Sequence, residues 1–285
     1  MKVHLITTLL SVIVFFTAMS FSSTITYTRF VEAGTLLATA VASDEPTSDI
    51  RISEGFEKVT AESVFVVDAR TGHVLYERLP DEVRPIASIS KLFTAAVVMS
   101  VADMEDTLTI AQGDIATEGA AGNLRAGEVY TFRELLFPFL LTSSNDAGTA
   151  FVRSLGPTAF ADGLTDLFSR AGLTDTMLVE PTGLSAQNRS TARELAELIL
   201  HLEEHFSYIL SVTTLPSYQG KLKGWQSNIP GRNFSSFQGG KHGYIPEAGQ
   251  TYIGLFERDG ESFVVVLLDS DSLNGDLAAI SDMLE

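Results

Sequence analysis

"TYIGLFERDGESFVVVLLD", residues 251–269, reads as two β-strands joined at Asp259-Gly260. Asp-Gly supplies the positive φ values that a tight hairpin turn demands. The second arm, residues 263–268, is apolar without interruption, so it predicts a strand buried on both faces. A matching hairpin lies toward the other end of the chain, where "ESVFVVDARTGHVLYE", residues 62–77, turns at Thr71-Gly72. Between the hairpins, helices are predicted over 91–101, 131–141, 146–155, 158–171 and 191–205, several of them opened by a Ser, Thr or Asp cap. Strands at both ends with helices between them predict one sheet that the chain leaves and re-enters. The fold expected is α/β (α+β in character), with a mainly antiparallel sheet built from the two hairpins and a strand at Lys241. Helices would cover it, and a mostly helical subdomain would span about 101–210.

With 285 residues the chain is long enough for one or two domains. A 45% hydrophobic and 19% charged composition excludes disorder for most of it. Thirty-six acidic against 19 basic side chains give a net charge of −17, which a phosphate backbone repels, so nucleic acid is excluded as a partner. The absence of Cys removes disulfides, thiolate nucleophiles and Cys-ligated zinc. Lys2 precedes an apolar run over 5–21, and no Asp, Glu, Lys or further basic residue except His4 follows until Arg29. Residues 1–28 therefore read as an export signal or a membrane anchor, with Ala18 and Ser20 as small residues ahead of a cleavage point. Residues 29–60, containing "VASDEPTSDIRIS", read as a flexible linker and 61–285 as the folded domain. The bulk of the chain is thus assigned outside the cytoplasm, secreted or anchored at the cell envelope.

Nucleophilic catalysis without Cys calls for an activated hydroxyl beside a base. "PIASISKLFTAAVV", residues 85–98, offers Ser88 with Lys91 three residues on, on the same helical face. With 27 Ser and six Lys, roughly 0.6 such spacings arise by chance, so the spacing alone is weak. The apolar setting separates it from chance, because a Lys buried in such a helix loses its hydration and becomes a working base. "LLTSSNDAGTAF", residues 140–151, puts Ser143 and Asn145 in a polar turn between two helices. Capping explains that pattern equally well, and Ser272-Leu273-Asn274 repeats it near the carboxy terminus. In "FQGGKHGYIPEAGQTYIG", residues 237–254, Lys241 starts a strand flanked by Gly239, Gly240 and Gly243, which would let a substrate backbone approach.

Taken in order, Ser-x-x-Lys, Ser-x-Asn and Lys-x-Gly resemble the penicillin-recognising serine acyl-transferases of the β-lactamase/transpeptidase-like superfamily. The resemblance is strongest to the serine D-alanyl-D-alanine carboxypeptidases, the low-molecular-mass penicillin-binding proteins. It extends from about residue 63 to 268 through "VFVVDARTGHVLYE", "IASISKLFTA", "GNLRAGEVYTFRELLFPFLLTSSNDA", "VEPTGLSAQNRSTARELAELI" and "GGKHGYIPEAGQT". It implies that Ser88 attacks the carbonyl between two D-alanines, that Lys91 takes its proton, and that water hydrolyses the acyl-enzyme. Ser143 would pass a proton to the leaving amine with Lys241 close by, while Asn145 would hold the substrate amide and position Lys91. The oxyanion hole would be the backbone N–H groups of Ser88 and Tyr244, and Lys241, His242, Gly243 and Tyr244 would line the substrate strand. The partners implied are peptidoglycan peptides ending in D-Ala-D-Ala, with β-lactams as inhibitors, and no cofactor or metal is called for. The family's extra carboxy-terminal β-domain is expected to be missing, since about forty residues follow Lys241.

Two features depart from the family. His242 stands where a Thr hydroxyl usually holds the substrate's terminal carboxylate. A protonated imidazole there would add charge and make activity titrate near the ordinary His pKa of about 6.5. The following strand, "GESFVVVLL", also lacks the basic residue that many members aim at that carboxylate. Three other readings stay open. "HLEEH", residues 201–205, matches a zinc-peptidase pattern. Glu180-Pro181, 37 residues after Ser143, resembles the acidic loop of class A β-lactamases. A catalytically silent peptidoglycan-binding protein would account for His242 as decay of the site.

Overall fold

Five strands make one sheet in the computed structural model, which describes residues 55–116, 118–119 and 122–284. The expected signal or anchor at 1–28, and all of the linker before residue 55, lie outside those residues. The strands are β1 (Ser63–Asp68), β2 (Val74–Arg78), β3 (Phe237–Ile245), β4 (Gly249–Arg258) and β5 (Glu261–Ser270). Their order is β2-β1-β5-β4-β3, and every neighbouring pair is antiparallel. The sheet is the expected one: two hairpins joined through β1 and β5, with the Lys241 strand on an edge.

The uninterrupted apolar run takes the central position because only there are both faces dry. Val264, Val266 and Leu268 of β5 pack into the core shared with the helices. Phe263, Val265 and Leu267 point the other way, into a second core with Phe56, Leu273, Leu277 and Ile280. Alternation along one strand thus binds two layers.

The helices of seven residues or more among the described residues are α1 (Ser90–Val101), α2 (Phe132–Leu141), α3 (Asn145–Leu155), α4 (Pro157–Ala171), α5 (Ala192–His205), α6 (Ser207–Thr214) and α7 (Leu273–Ala279). Thr131 and Thr191 cap α2 and α5, each side-chain oxygen accepting from a backbone N–H three residues on. Pro157 opens α4 and Gly172, in the left-handed region at φ 70°, closes it. α6 and α7 carry no signal that separates them from strand or loop. Both are short and form because a layer of the sheet needs covering. Every residue of α1 from Ser90 to Val98 is buried, Lys91 included.

Phe56 and Val59, in the stretch read as linker, are instead part of the second core. Phe56 and Val59 are buried, Phe56 stacks on Tyr76 with ring centroids 4.3 Å apart, and the Arg78 guanidinium donates to the carbonyls of Phe56, Val59 and Ala61. Among the described residues no helix is long and apolar enough to cross a membrane.

The buried carboxylate of Asp276 ties this layer together. It accepts from the backbone N–H groups of Thr60 (2.7 Å) and Ala61 (3.0 Å) and from the hydroxyls of Thr60 (2.9 Å) and Ser270 (2.6 Å). Asp276→Ala leaves those donors without an acceptor and should lower stability by about 3 kcal/mol. Urea unfolding checks this, with the expected result a lower midpoint at unchanged slope.

Candidate active site

Ser88 lies in a single 3₁₀ turn, Ala87–Ile89, that runs directly into α1. Ala87 holds φ at 46°, a conformation that costs a non-glycine residue energy and that packing must enforce. The enforcement is visible on two sides. A side chain on Gly183 would fall 1.8 Å from the Ala87 carbonyl oxygen, and one on Gly243 would fall 2.4 Å from the Ser88 nitrogen. The turn is therefore held between a loop and strand β3 at backbone contact distance. Gly243, expected to clear room for substrate, clears room for Ser88 itself.

Lys91 points along the helix back toward Ser88, as side chains on a helix do. Its Nζ lies 3.0 Å from Ser88 Oγ, 2.8 Å from Asn145 Oδ1 and 2.6 Å from the Thr182 carbonyl oxygen. The Asn145 amide is oriented by its other end, whose Nδ2 donates to the carbonyls of Glu118 (2.9 Å) and Gly119 (3.2 Å). Burial, then the charge of Lys241, hold the Lys91 pKa well below the usual lysine range, with Glu180 opposing. A neutral amine has two N–H donors and one lone pair. Asn145 Oδ1 and the Thr182 carbonyl can only accept, so they take both donors, and the lone pair is left for the Ser88 hydroxyl proton. In the neutral amine, therefore, the lone pair faces Ser88 Oγ.

Thr182 and its loop carried no chemical signal in the sequence, since what acts is a backbone carbonyl. Glu180 builds the loop. Its carboxylate accepts from the N–H of Thr182 (2.7 Å) and Gly183 (2.6 Å), the Thr182 hydroxyl (2.7 Å) and Asn188 Nδ2 (3.0 Å). Thr94 of α1 donates to the Pro181 carbonyl, fastening the loop to the helix that carries Lys91. With its oxygens so occupied, Glu180 organises the loop.

Ser143 stands at the carboxy-terminal end of α2. The N–H of Ser144 donates to the Pro138 carbonyl at 3.0 Å, closing a seven-residue turn in which Ser143 takes the left-handed position at φ 61°. Glycine is usual there, so a Ser in that conformation is held by its surroundings. Its buried Oγ has no hydrogen-bond partner among the described residues. Ser144, the next residue, caps α3, which begins at Asn145. Ser272-Leu273-Asn274 opens α7 beside the second core, on the other side of the sheet.

Lys241 on edge strand β3 is fully buried, and its Nζ donates to the His242 carbonyl at 2.8 Å. Burial lowers its pKa to about 7. His242 is partly buried, and its Nδ1 is enclosed without a partner. Burial, then the charges of Lys241 and Lys91, push its pKa down to about 3, so the imidazole is neutral at pH 7. The expected titration near 6.5 is corrected: two lysines and no carboxylate act on this ring. The N–H of Gly240 turns off the sheet edge to the Thr213 hydroxyl at 2.9 Å, and the alternation of a strand sends the N–H groups of His242 and Tyr244 the same way. The Tyr244 side chain is 65% exposed.

His201 and His205 lie elsewhere, at the end of α5, with ring centroids 4.6 Å apart. They line a cavity of about 600 Å³ with Asp166 and Arg170, which pair with each other at 2.7 Å. Among the described residues no three ligand side chains converge there.

The profile of the D-alanyl-D-alanine carboxypeptidase (peptidase S11) family matches residues 50–272. A D-alanyl-D-alanine endopeptidase of Pseudomonas aeruginosa is 37% identical over 169 residues, 58% of this chain and 54% of that protein. The chain thus spans about half the length of that relative. The D-alanyl-D-alanine carboxypeptidase DacB2 of Mycobacterium tuberculosis is 26% identical over 237 residues, 80% of each chain. Penicillin-binding protein D2 of Listeria monocytogenes, solved in a cefotaxime-bound form, superposes with a TM-score of 0.71 at 24% identity, covering 79% of this chain and 96% of that one. The likeness gives the fold, a penicillin-binding-protein fold with its antiparallel sheet and helical cover. The profile match runs from ahead of the first strand to beyond the last and takes in the turn of Ser88 and the strand of Lys241, so the chain belongs to the D-alanyl-D-alanine carboxypeptidase family.

Proposed function

We propose that the chain is a serine-type D-alanyl-D-alanine carboxypeptidase, removing the terminal D-alanine of peptidoglycan stem peptides through an acyl-enzyme on Ser88. The observation that carries this reading is the bond set of Lys91, whose Nζ lies within hydrogen-bond distance of two groups that can only accept and of Ser88 Oγ at 3.0 Å, so that in the neutral amine the lone pair is the one left for the Ser88 proton. Ser88 Oγ attacks the carbonyl carbon of the penultimate D-alanine while its proton passes to Lys91 Nζ. The tetrahedral oxyanion sits between the N–H groups of Ser88 and Tyr244, each worth roughly 3–4 kcal/mol to such an intermediate. As the C–N bond breaks, the proton taken up by Lys91 passes through Ser143, with Lys241 as its neighbour, to the leaving amine, which returns Lys91 to its neutral form. Water then attacks the ester and gives a proton to Lys91, which passes it to Ser88 Oγ as the ester bond breaks, freeing the shortened peptide and restoring the Ser88 hydroxyl. Asn145 holds the substrate amide and Lys91, while His242 and Gly243 line the substrate strand.

Two further points follow from this reading. The chain works outside the cytoplasm, at the cell envelope, held by residues 1–28 or secreted once they are removed. β-Lactams, one of which is bound in the Listeria monocytogenes relative, would acylate Ser88. The 37% identity to the Pseudomonas aeruginosa endopeptidase favours a second reading, hydrolysis of the same D-alanyl bond within cross-linked peptide. Release of monomer from a purified cross-linked dimer would separate the two.

Ser88→Ala should abolish covalent labelling by a fluorescent penicillin without unfolding the protein, whereas Ser90→Ala should still label. Labelling that survives the first change overturns the assignment. Lys91→Ala should slow acylation by roughly 10² to 10⁴. Acylation by the wild type should fall as pH drops, because protonation fills the lone pair that receives the Ser88 proton, and that acid limb should vanish in Lys91→Ala. Gly243→Ala, which drives a methyl against the Ser88 nitrogen, should slow labelling at least about tenfold by displacing the nucleophile.

A further inference from the structure

Acylation turns Lys91 from an amine into an ammonium in a buried place, and the structure holds a group that answers that charge. The Lys91 Nζ lies 2.6 Å from the Thr182 carbonyl oxygen. The N–H of Gly183 donates to Glu180 Oε1 at 2.6 Å. That carbonyl and that N–H are the two ends of one peptide group, which is trans, so they point in opposite directions. Glu180 and Lys91 are therefore joined through a single rigid amide, with the carboxylate at its N–H end and the amine at its C=O end. An amide spans about 2.3 Å from N to O, which puts Glu180 Oε1 within about 7.5 Å of Nζ.

The other contacts of the two groups agree with this direction. Glu180 also accepts from the N–H and the hydroxyl of Thr182, both at 2.7 Å, and from Asn188 Nδ2 at 3.0 Å, so its oxygens meet donors, as those of an ionised carboxylate must. Around the Lys91 Nζ stand uncharged groups: Asn145 Oδ1 at 2.8 Å, Ser88 Oγ at 3.0 Å and the Phe139 ring of α2, whose centroid is 5.8 Å away. The His242 imidazole of β3 is neutral at pH 7 and adds no charge. Burial, then Lys241 on β3, disfavour the ammonium, and the charge that favours it is Glu180. A lysine depressed with nothing opposing would be neutral but a poor acceptor of the Ser88 proton, because basicity falls with pKa. A negative charge at the N–H end of an amide strengthens the hydrogen bond that its carbonyl makes at the other end, and the gain grows as Lys91 takes up charge.

Resting on the acyl-transfer reading above, we propose that Glu180 is the counter-ion of the Lys91 ammonium, a positioning residue that acts through the Thr182–Gly183 peptide to stabilise the proton that Lys91 receives in acylation and again in deacylation. In the first step the Ser88 O–H bond breaks, an N–H bond forms on Lys91, and Ser88 Oγ bonds to the substrate carbonyl carbon, whose π pair moves to oxygen. Glu180 neither gains nor loses a proton and touches no substrate. Holding the loop is how its charge comes to lie one peptide away from the base.

The test follows acylation of the full chain by a fluorescent penicillin, and release of the label, as functions of pH. Glu180→Gln should slow acylation at neutral pH at least about fivefold and slow release with it, since Lys91 receives a proton in both steps. It should also move the acid limb of acylation down by at least about half a pH unit, because Lys91 without its counter-ion holds a proton less well. A loop that is merely loosened gives the opposite sign, since water admitted to Lys91 would raise its pKa and carry the limb up. In a folded Glu180→Gln enzyme, a smaller or upward shift, or acylation slowed less than about fivefold, overturns the inference. Acylation at the wild-type rate with release abolished also overturns it, and would make Glu180 a water-activating base. Thr94→Val frees the Pro181 carbonyl from α1 but keeps the carboxylate, so its limb should stay where the wild type has it. A limb lowered by that change would show that the loop, and not the charge, sets it. Glu180→Asp keeps the charge one methylene short of the Gly183 N–H and should lie between Gln and wild type in both rate and limb. It carries the test if the Gln protein does not fold, and an Asp enzyme equal to wild type in both overturns the inference. Wild-type protein that takes no label overturns the acyl-transfer reading itself, whereas labelled wild type with an unaltered Gln variant overturns this inference alone.

Discussion

The burial of Lys91 is the constraint from which the rest of the site follows. An amine at the foot of an apolar helix cannot keep its charge cheaply, and a second buried lysine on β3 raises that cost. Charged or neutral, it must still satisfy its hydrogen-bonding capacity. The Asn145 oxygen, the Thr182 carbonyl and the Ser88 hydroxyl do so from three different parts of the chain. Helix α1, the turn ahead of α3 and the Glu180 loop are each anchored to the others through this one nitrogen.

Positioning the nucleophile is a second problem, and it is solved by backbone contact. The Ala87–Ser88 peptide is held by Gly183 on one side and Gly243 on the other, at distances no side chain would permit. Ala87 and Ser143 both sit in the left-handed region without being glycine. Such conformations persist only where packing over-determines them, and both adjoin hydroxyls assigned to the chemistry. The two cores flanking β5 supply that rigidity, since neither the turn nor the edge strand can move without disturbing a close-packed layer.

Between them, these two constraints account for what is ordinary and what is unusual in the cleft. Burial, and then the lysine pair, also suppress protonation of His242 on the edge strand. Glu180 and the His201–His205 pair, each of which resembles catalytic equipment when read alone, are a loop scaffold and a feature of a separate cavity.

Much of this was legible in the amino-acid sequence, and the part that was not has a common cause. The apolar arm at 263–268, the Asp259-Gly260 and Thr71-Gly72 turns and the capped helices rest on local periodicity and turn chemistry, which a chain displays whatever its neighbours are, and all are found where the pattern puts them. Ser88 and Lys91 were legible for the same reason, since three residues on a helix fix a shared face. The chain order by itself could not show that Thr182 presents a carbonyl to Lys91, that Gly243 adjoins Ser88, or that Phe56 and Val59 are core. Each of these depends on a partner far along the chain. Nor could it give the charge state of His242, because a pKa is set by desolvation and by neighbouring charges. His242 and Lys91 are brought near each other only when an edge strand closes against a helix that begins some 150 residues earlier in the sequence.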